Sequence, residues 1–99
     1  MDVKRDPVKS SNVASIGYAR ADYDALKYPD GAIEVGIVEV EFKADPKQFE
    51  HGAIYRHVDV PRSVYDAVRS NPSVGAAYNV ALRGKYGCQK IADAERKTR

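Results

Sequence analysis

Three segments in the first sixty positions alternate apolar and polar residues with the period of a β-strand, which predicts a sheet before any motif is sought. In 12–18, Val13 and Ser15 interleave with Ala14, Ile16 and Tyr18, giving a first strand. In 33–42, Ile33, Val35 and Ile37 share one parity while Val38, Val40 and Phe42 share the other. The apolar phase flips beside Gly36, and a β-bulge there would restore a single buried face. In 53–60, Ile54, Val58 and Val60 fall on one side and Tyr55, His57 and Asp59 on the other, so the third strand is expected to keep Tyr55 and His57 on its wet face. The connections are a loop over 19–32, whose Pro29-Asp30-Gly31 is turn chemistry, and a loop over 43–52 built on Asp45, Pro46 and Gly52.

After Val60 the period changes. Pro61 suits the first position of a helix, and Val64, Tyr65 and Val68 follow at helical spacing until Asn71-Pro72 stops the run. Ser73 is then placed to cap a second helix with the stripe Val74, Ala77, Tyr78, Ala81 and Leu82, and Gly84 stands where a left-handed C-terminal residue is wanted. Residues 86–91 read as an edge strand or an extended wrap. The fold class expected is α+β: a three-stranded antiparallel β-meander, two short α-helices, and a short C-terminal extended segment. Residues 1–9 are expected to be a flexible N-terminus, 10–91 the domain, and 92–99 a frayed, charged tail.

Ninety-nine residues, 43% of them hydrophobic, suffice for one small core and leave no room for a second. The formal charge of +2 conceals a gradient. From Arg83 onward six basic residues face two acidic ones, a net +4, so the first 82 residues carry −2. The basic end is therefore where an anionic partner is expected. The single cysteine, Cys88, excludes an intramolecular disulfide and offers no zinc-ligand spacing; a reducing, cytoplasmic setting is the default. No apolar stretch is long enough for a signal segment or a membrane span, so no membrane partner is expected.

Several segments together resemble the KTSC family: Ser10-Ser11-Asn12-Val13-Ala14-Ser15-Ile16-Gly17-Tyr18, Val38-Glu39-Val40-Glu41-Phe42, Tyr55-Arg56-His57-Val58-Asp59-Val60-Pro61, then Tyr65, Gly75, Tyr78-Asn79 and Arg83-Gly84-Lys85-Tyr86. The resemblance spans about 10–91. It is to small single-domain proteins of bacteria and their phages, a module also found at the C-terminus of some lysyl-tRNA synthetases, and that attachment implies RNA binding. Two departures stand out. The family's central Tyr-x-Tyr reads Tyr55-Arg56-His57, an imidazole replacing the second phenol, and the loops 19–32 and 43–52 are longer than the family's compact hairpins.

Two flat rings on one strand face form a platform for unstacked bases, and Arg83-Gly84-Lys85-Tyr86 with Lys90 interleaves cations with an aromatic ring, as a phosphate backbone requires. The candidate nucleic-acid contacts are thus Tyr55, Arg56, His57, Arg83, Lys85, Tyr86 and Lys90. Each has a structural reading beside it: His57 and Tyr55 as cover for the sheet, Arg83 and Lys85 as partners of a helix dipole. No catalytic or metal-binding set is found, because His51 and His57 with Asp45, Glu50 and Asp59 lack any HExxH-type spacing, and Cys88 has no histidine near it in sequence. The protein is accordingly expected to be no enzyme and to need no cofactor. Three partner classes stay open: RNA or another nucleic acid; a host protein, or a second copy engaged through the long loops; and a small anionic nucleotide.

Overall fold

The computed structural model describes residues 3–20 and 34–96. The expected loop 19–32 lies outside them from residue 21 onward; its first two residues continue a strand. The main sheet has five antiparallel strands in the order β1 (Arg5–Pro7), β2 (Val13–Arg20), β3 (Val35–Phe42), β5 (Ile54–Pro61) and β6 (Cys88–Ala92). The expected meander is β2-β3-β5, and it gains one strand at each edge. Residues 86–91 thus resolve mainly into edge strand β6. Two short strands, β4 (Phe49–His51) and β7 (Glu95–Arg96), pair separately, so the 43–52 loop is tied to the segment expected to be a frayed tail. Likewise β1 and the buried Val3 lie within the stretch set apart as a flexible N-terminus. Among the described residues no helix is long and apolar enough to cross a membrane.

Helices α1 (Arg62–Ser70) and α2 (Val74–Ala81) pack on one face of the sheet, where Ile16, Val38, Val40 and Val60 meet Tyr65, Val68, Tyr78 and Leu82 in a single core. The register defines which side chains share that face. One row across the strands is Ile16, Val40, Tyr55 and Lys90, and the next is Tyr18, Val38, His57 and Cys88. The opposite, helix-free face carries the intervening row: Arg5, Gly17, Glu39, Arg56 and Gln89. Because Gly17 has no side chain, Arg5 reaches across it to Glu39.

The phase change expected within β3 does not occur. Gly36, Val38, Val40 and Phe42 stay on the helix side throughout, and Ile37 pairs with Ala19 on the other side. Gly36 is needed there because a Cβ would run into the Ala19 carbonyl oxygen and come within 2.6 Å of the Tyr18 ring. The bulge does lie beside Gly36, but the extra residue belongs to β5. Pairing passes from Gly36↔Val60 to Val38↔His57, and Asp59 adopts a left-handed φ of 56° to accommodate it.

That bulge overturns the expected facing of the third strand. With one residue spent in the left-handed turn, both Val60 and His57 point into the core, each 0% exposed, while Val58 is pushed outward. The helix boundaries match the expected signals with one adjustment each. Pro61 closes β5 and sits at the cap of α1, whose Arg62 N–H donates to the Glu34 carbonyl. Ser73 occupies the cap of α2 without a side-chain cap bond; Asn71 Oδ1 instead accepts from the Ser73 N–H at 2.9 Å. Gly84 takes the left-handed conformation, φ 75°.

Candidate functional site

Beyond the C-terminal end of α2 the helix cover stops, and a cavity of about 460 Å³ opens between it and the edge of the sheet. Tyr55 and His57 reach it from β5, Cys88 from β6, Phe42 from β3, and Tyr78, Asn79 and Arg83 from α2 and the turn after it. These residues meet because adjacent positions in the sheet rows, Tyr55 and His57, face the last turn of α2. Phe42 makes edge contacts with Tyr55 and Tyr78, ring centroids 5.7 and 5.4 Å apart, so three rings form an aromatic wall.

His57 lies beneath that wall. Its Nε2 is 2.8 Å from the Tyr78 hydroxyl, and the two rings meet edge to face. Burial pushes the imidazole pKa below its ordinary 6.5, because the charged form would lose its water; the Tyr86 carbonyl works weakly the other way. Nδ1 nonetheless has no hydrogen bond, so the carbonyl acts at a distance and not as a bonded acceptor. The Tyr78 phenol is pushed up to about 12, chiefly by burial. Both groups are therefore neutral at physiological pH and form a fixed polar pair. His57 is a support for the cavity and not a stacking surface, which corrects the expectation of an exposed ring pair.

The other expected contacts separate into three settings. Arg56 points to the helix-free face, where its Nε and Nη2 donate to Glu39 Oε2 at 3.1 and 2.7 Å. Arg5 Nη1 donates to the other Glu39 oxygen at 2.8 Å, and Glu39 itself is only 3% exposed. Arg56 is thus committed to an ion cluster on the face opposite Tyr55, because neighbouring residues of a strand alternate sides. Lys90 shares Tyr55's row, with its ammonium 5.9 Å from that ring's centroid and 2.7 Å from Asp93 Oδ1. Arg83 and Lys85 are exposed in the turn that follows α2, and Tyr86 is half-buried against the core.

Asn12, Tyr78, Asn79 and Cys88 line the cavity without having been singled out for it. Tyr78 reads as core from its place in the apolar stripe, which it also is. Asn12 is held by a local turn: the Ser10 hydroxyl accepts from the N–H groups of Asn12 and Val13, and Gly75 leaves the space its side chain occupies. Cys88, which has no histidine near it in sequence, is exposed and stands opposite His57 in the β5–β6 register. The only sequence trace of that pairing is the strand period of two segments that are far apart in the chain. Among the described residues no group of His, Cys, Asp and Glu is arranged to hold a metal ion.

The family model for the KTSC domain matches residues 34–86, more than half of the chain and all of the segment from β3 through the turn after α2. The chain belongs to the KTSC family. A crystal structure of a KTSC domain protein from Yersinia pestis is similar, with a TM-score of 0.63 and 26% identity, covering 92% of this chain and 100% of that one. Comparison with curated proteins finds no match. The KTSC match ends at the residues that close the cavity, so the site is built almost wholly within the matched segment; Asn12, from the turn before β2, and Cys88, from β6, lie outside it.

Proposed function

We propose that this KTSC protein is a non-catalytic binding module for single-stranded nucleic acid, which it engages at the end of the sheet where α2 stops. The observation that carries the reading is the convergence of Tyr55 and Arg83, distant in sequence, on one open cavity. A ring and a guanidinium lining one recess suit the two invariant parts of a nucleotide chain, the base face and the phosphate. Lys85 follows in the same exposed turn, and Lys90 lies across from Tyr55. The interface so defined is smaller than the one expected from sequence: Arg56 and His57 serve structure, and Tyr86 anchors the turn. The weak net charge of the body fits modest affinity that depends on a few local cations.

The test is RNA affinity at two ionic strengths for the wild type and for Arg83→Ala/Lys85→Ala, measured by fluorescence anisotropy with a labelled single-stranded oligonucleotide. Binding is expected to weaken with salt, and the double variant to lose roughly 1.4 from the log–log slope, about 0.7 for each phosphate contact removed. An oligonucleotide that fails to bind at low salt, or binds both proteins alike, overturns the proposal.

A further inference from the structure

The cavity is more selective than a basic surface needs to be. Flat, sequence-tolerant grooves track a strand over many nucleotides, whereas this site is a single recess of about 460 Å³, within the size range of pockets that enclose small ligands. Its wall is aromatic on one side, through Tyr55, Phe42 and Tyr78. Besides the tyrosine hydroxyls, the Cys88 thiol and His57, its polar groups are the amides of Asn12 and Asn79 and the Arg83 guanidinium, and among the described residues no carboxylate lines it. Such a set offers donors and acceptors to a heterocycle's edge, a ring for its face and a cation for an attached anion.

The end of α2 brings carbonyl oxygens toward the site, and these would repel an anion. Their effect is blunted, because the Tyr78 carbonyl accepts from the N–H groups of Leu82 and Arg83, and the Leu82 carbonyl from that of Lys85. A full guanidinium charge then outweighs what remains of a half-charge helix terminus. The positive φ of Gly84, with nothing within 4 Å of where its Cβ would be, leaves the rim beside Arg83 open.

We infer that the cavity receives one unstacked nucleotide, its base against Tyr55 with its edge toward Asn12 and Asn79, and its phosphate on Arg83. The inference rests on the nucleic-acid reading and narrows it: a free nucleotide or the accessible end of a strand is bound, and a paired, stacked base is not. Tyr55 supplies the ring, Arg83 the charge, and the buried His57–Tyr78 pair sets the depth of the recess.

The experiment titrates the full-length protein with the four nucleoside 5′-monophosphates, adenosine and inorganic phosphate by calorimetry, and then uses the same compounds to compete with a labelled single-stranded oligonucleotide. At least one monophosphate is expected to bind and to displace the oligonucleotide, with adenosine and phosphate each at least about tenfold weaker, since each offers only half of the recognised group. Tyr55→Ala is expected to weaken both ligands by roughly five- to 100-fold, and Tyr55→Phe, which keeps the ring, to leave them within about threefold. Thermal melts of each variant separate lost binding from lost fold. If the oligonucleotide binds but no monophosphate competes and Tyr55→Ala binds it normally, the cavity inference fails while the surface reading survives. If neither ligand binds, both fail.

Discussion

Replacing Glu39 with glutamine should reveal how much of the sheet's stability resides on its helix-free face. The carboxylate is almost fully covered, and its two oxygens accept three hydrogen bonds from Arg5 and Arg56 at 2.7 to 3.1 Å. Glutamine preserves the volume but turns an amide donor toward guanidinium donors and leaves two positive charges without their shared partner. Removing one member of a buried ion pair costs about 3–5 kcal/mol. The Arg5 and Arg56 side chains, however, are 24% and 27% exposed, so water can re-solvate part of each charge. The expected loss for Glu39→Gln is therefore about 2 kcal/mol, less than the fully buried case. For a chain of 99 residues this corresponds to a melting temperature lower by roughly 8–16 °C. Thermal and urea unfolding followed by far-ultraviolet circular dichroism measures it. The triple variant Arg5→Met/Glu39→Leu/Arg56→Met removes the buried cluster whole; Glu41 loses its 3.6 Å contact with Arg5 but is 21% exposed and stays hydrated, so the variant is expected to recover most of the loss. A Glu39→Gln protein melting within about 2 °C of the wild type would refute the reasoning, as would a triple variant as unstable as the single one.

Two further outcomes follow from the packing around the site. His57 has its pKa lowered by burial, so the unfolded chain takes up the proton first; the stability it contributes is complete above about pH 6.5 and declines as the pH falls through that value toward the folded pKa. The urea midpoint of the wild type should accordingly drop more than that of His57→Gln between about pH 7.5 and 5, and equal drops would remove the argument. The comparison has to be between proteins, because His51, raised by its bond to the Gly52 carbonyl and by Glu95, contributes the opposite slope. Gly36→Ala forces a methyl group against the Tyr18 ring and the adjoining backbone, and should cost about 1–3 kcal/mol in urea unfolding. A Gly36→Ala protein as stable as the wild type would show that both the Tyr18 ring and the β2 backbone at the Ala19 carbonyl can give way.

Much of the domain was legible in the chain because its signals are local. Alternation of Val, Ile and Tyr marks strands wherever one face is buried, and the apolar stripe from Val74 to Leu82, bounded by Asn71-Pro72 and Gly84, marks α2 without reference to anything else. The ordered segments from Ser10 to Tyr86 likewise carried the KTSC resemblance that the family match supports. The edge strands were less visible. Arg5–Pro7 and Glu95–Arg96 have too few residues and too little apolar content to show a period, and they are strands only because β2 and β4 offer them partners.

What tertiary structure alone decided is which side of β5 faces the core. Simple alternation puts Tyr55 and His57 outside with Asp59, but a single left-handed residue at Asp59 shifts the phase and turns the imidazole inward, against Tyr78. Such a bulge depends on pairing with β3, a relation between segments that no period within one segment records. The same holds for the cavity. Tyr55, Arg83 and Cys88 are neighbours because the strand order brings β6 beside β5 and the core seats α2 above them. The residues were in the sequence from the start, but their proximity comes from long-range hydrogen bonding and burial.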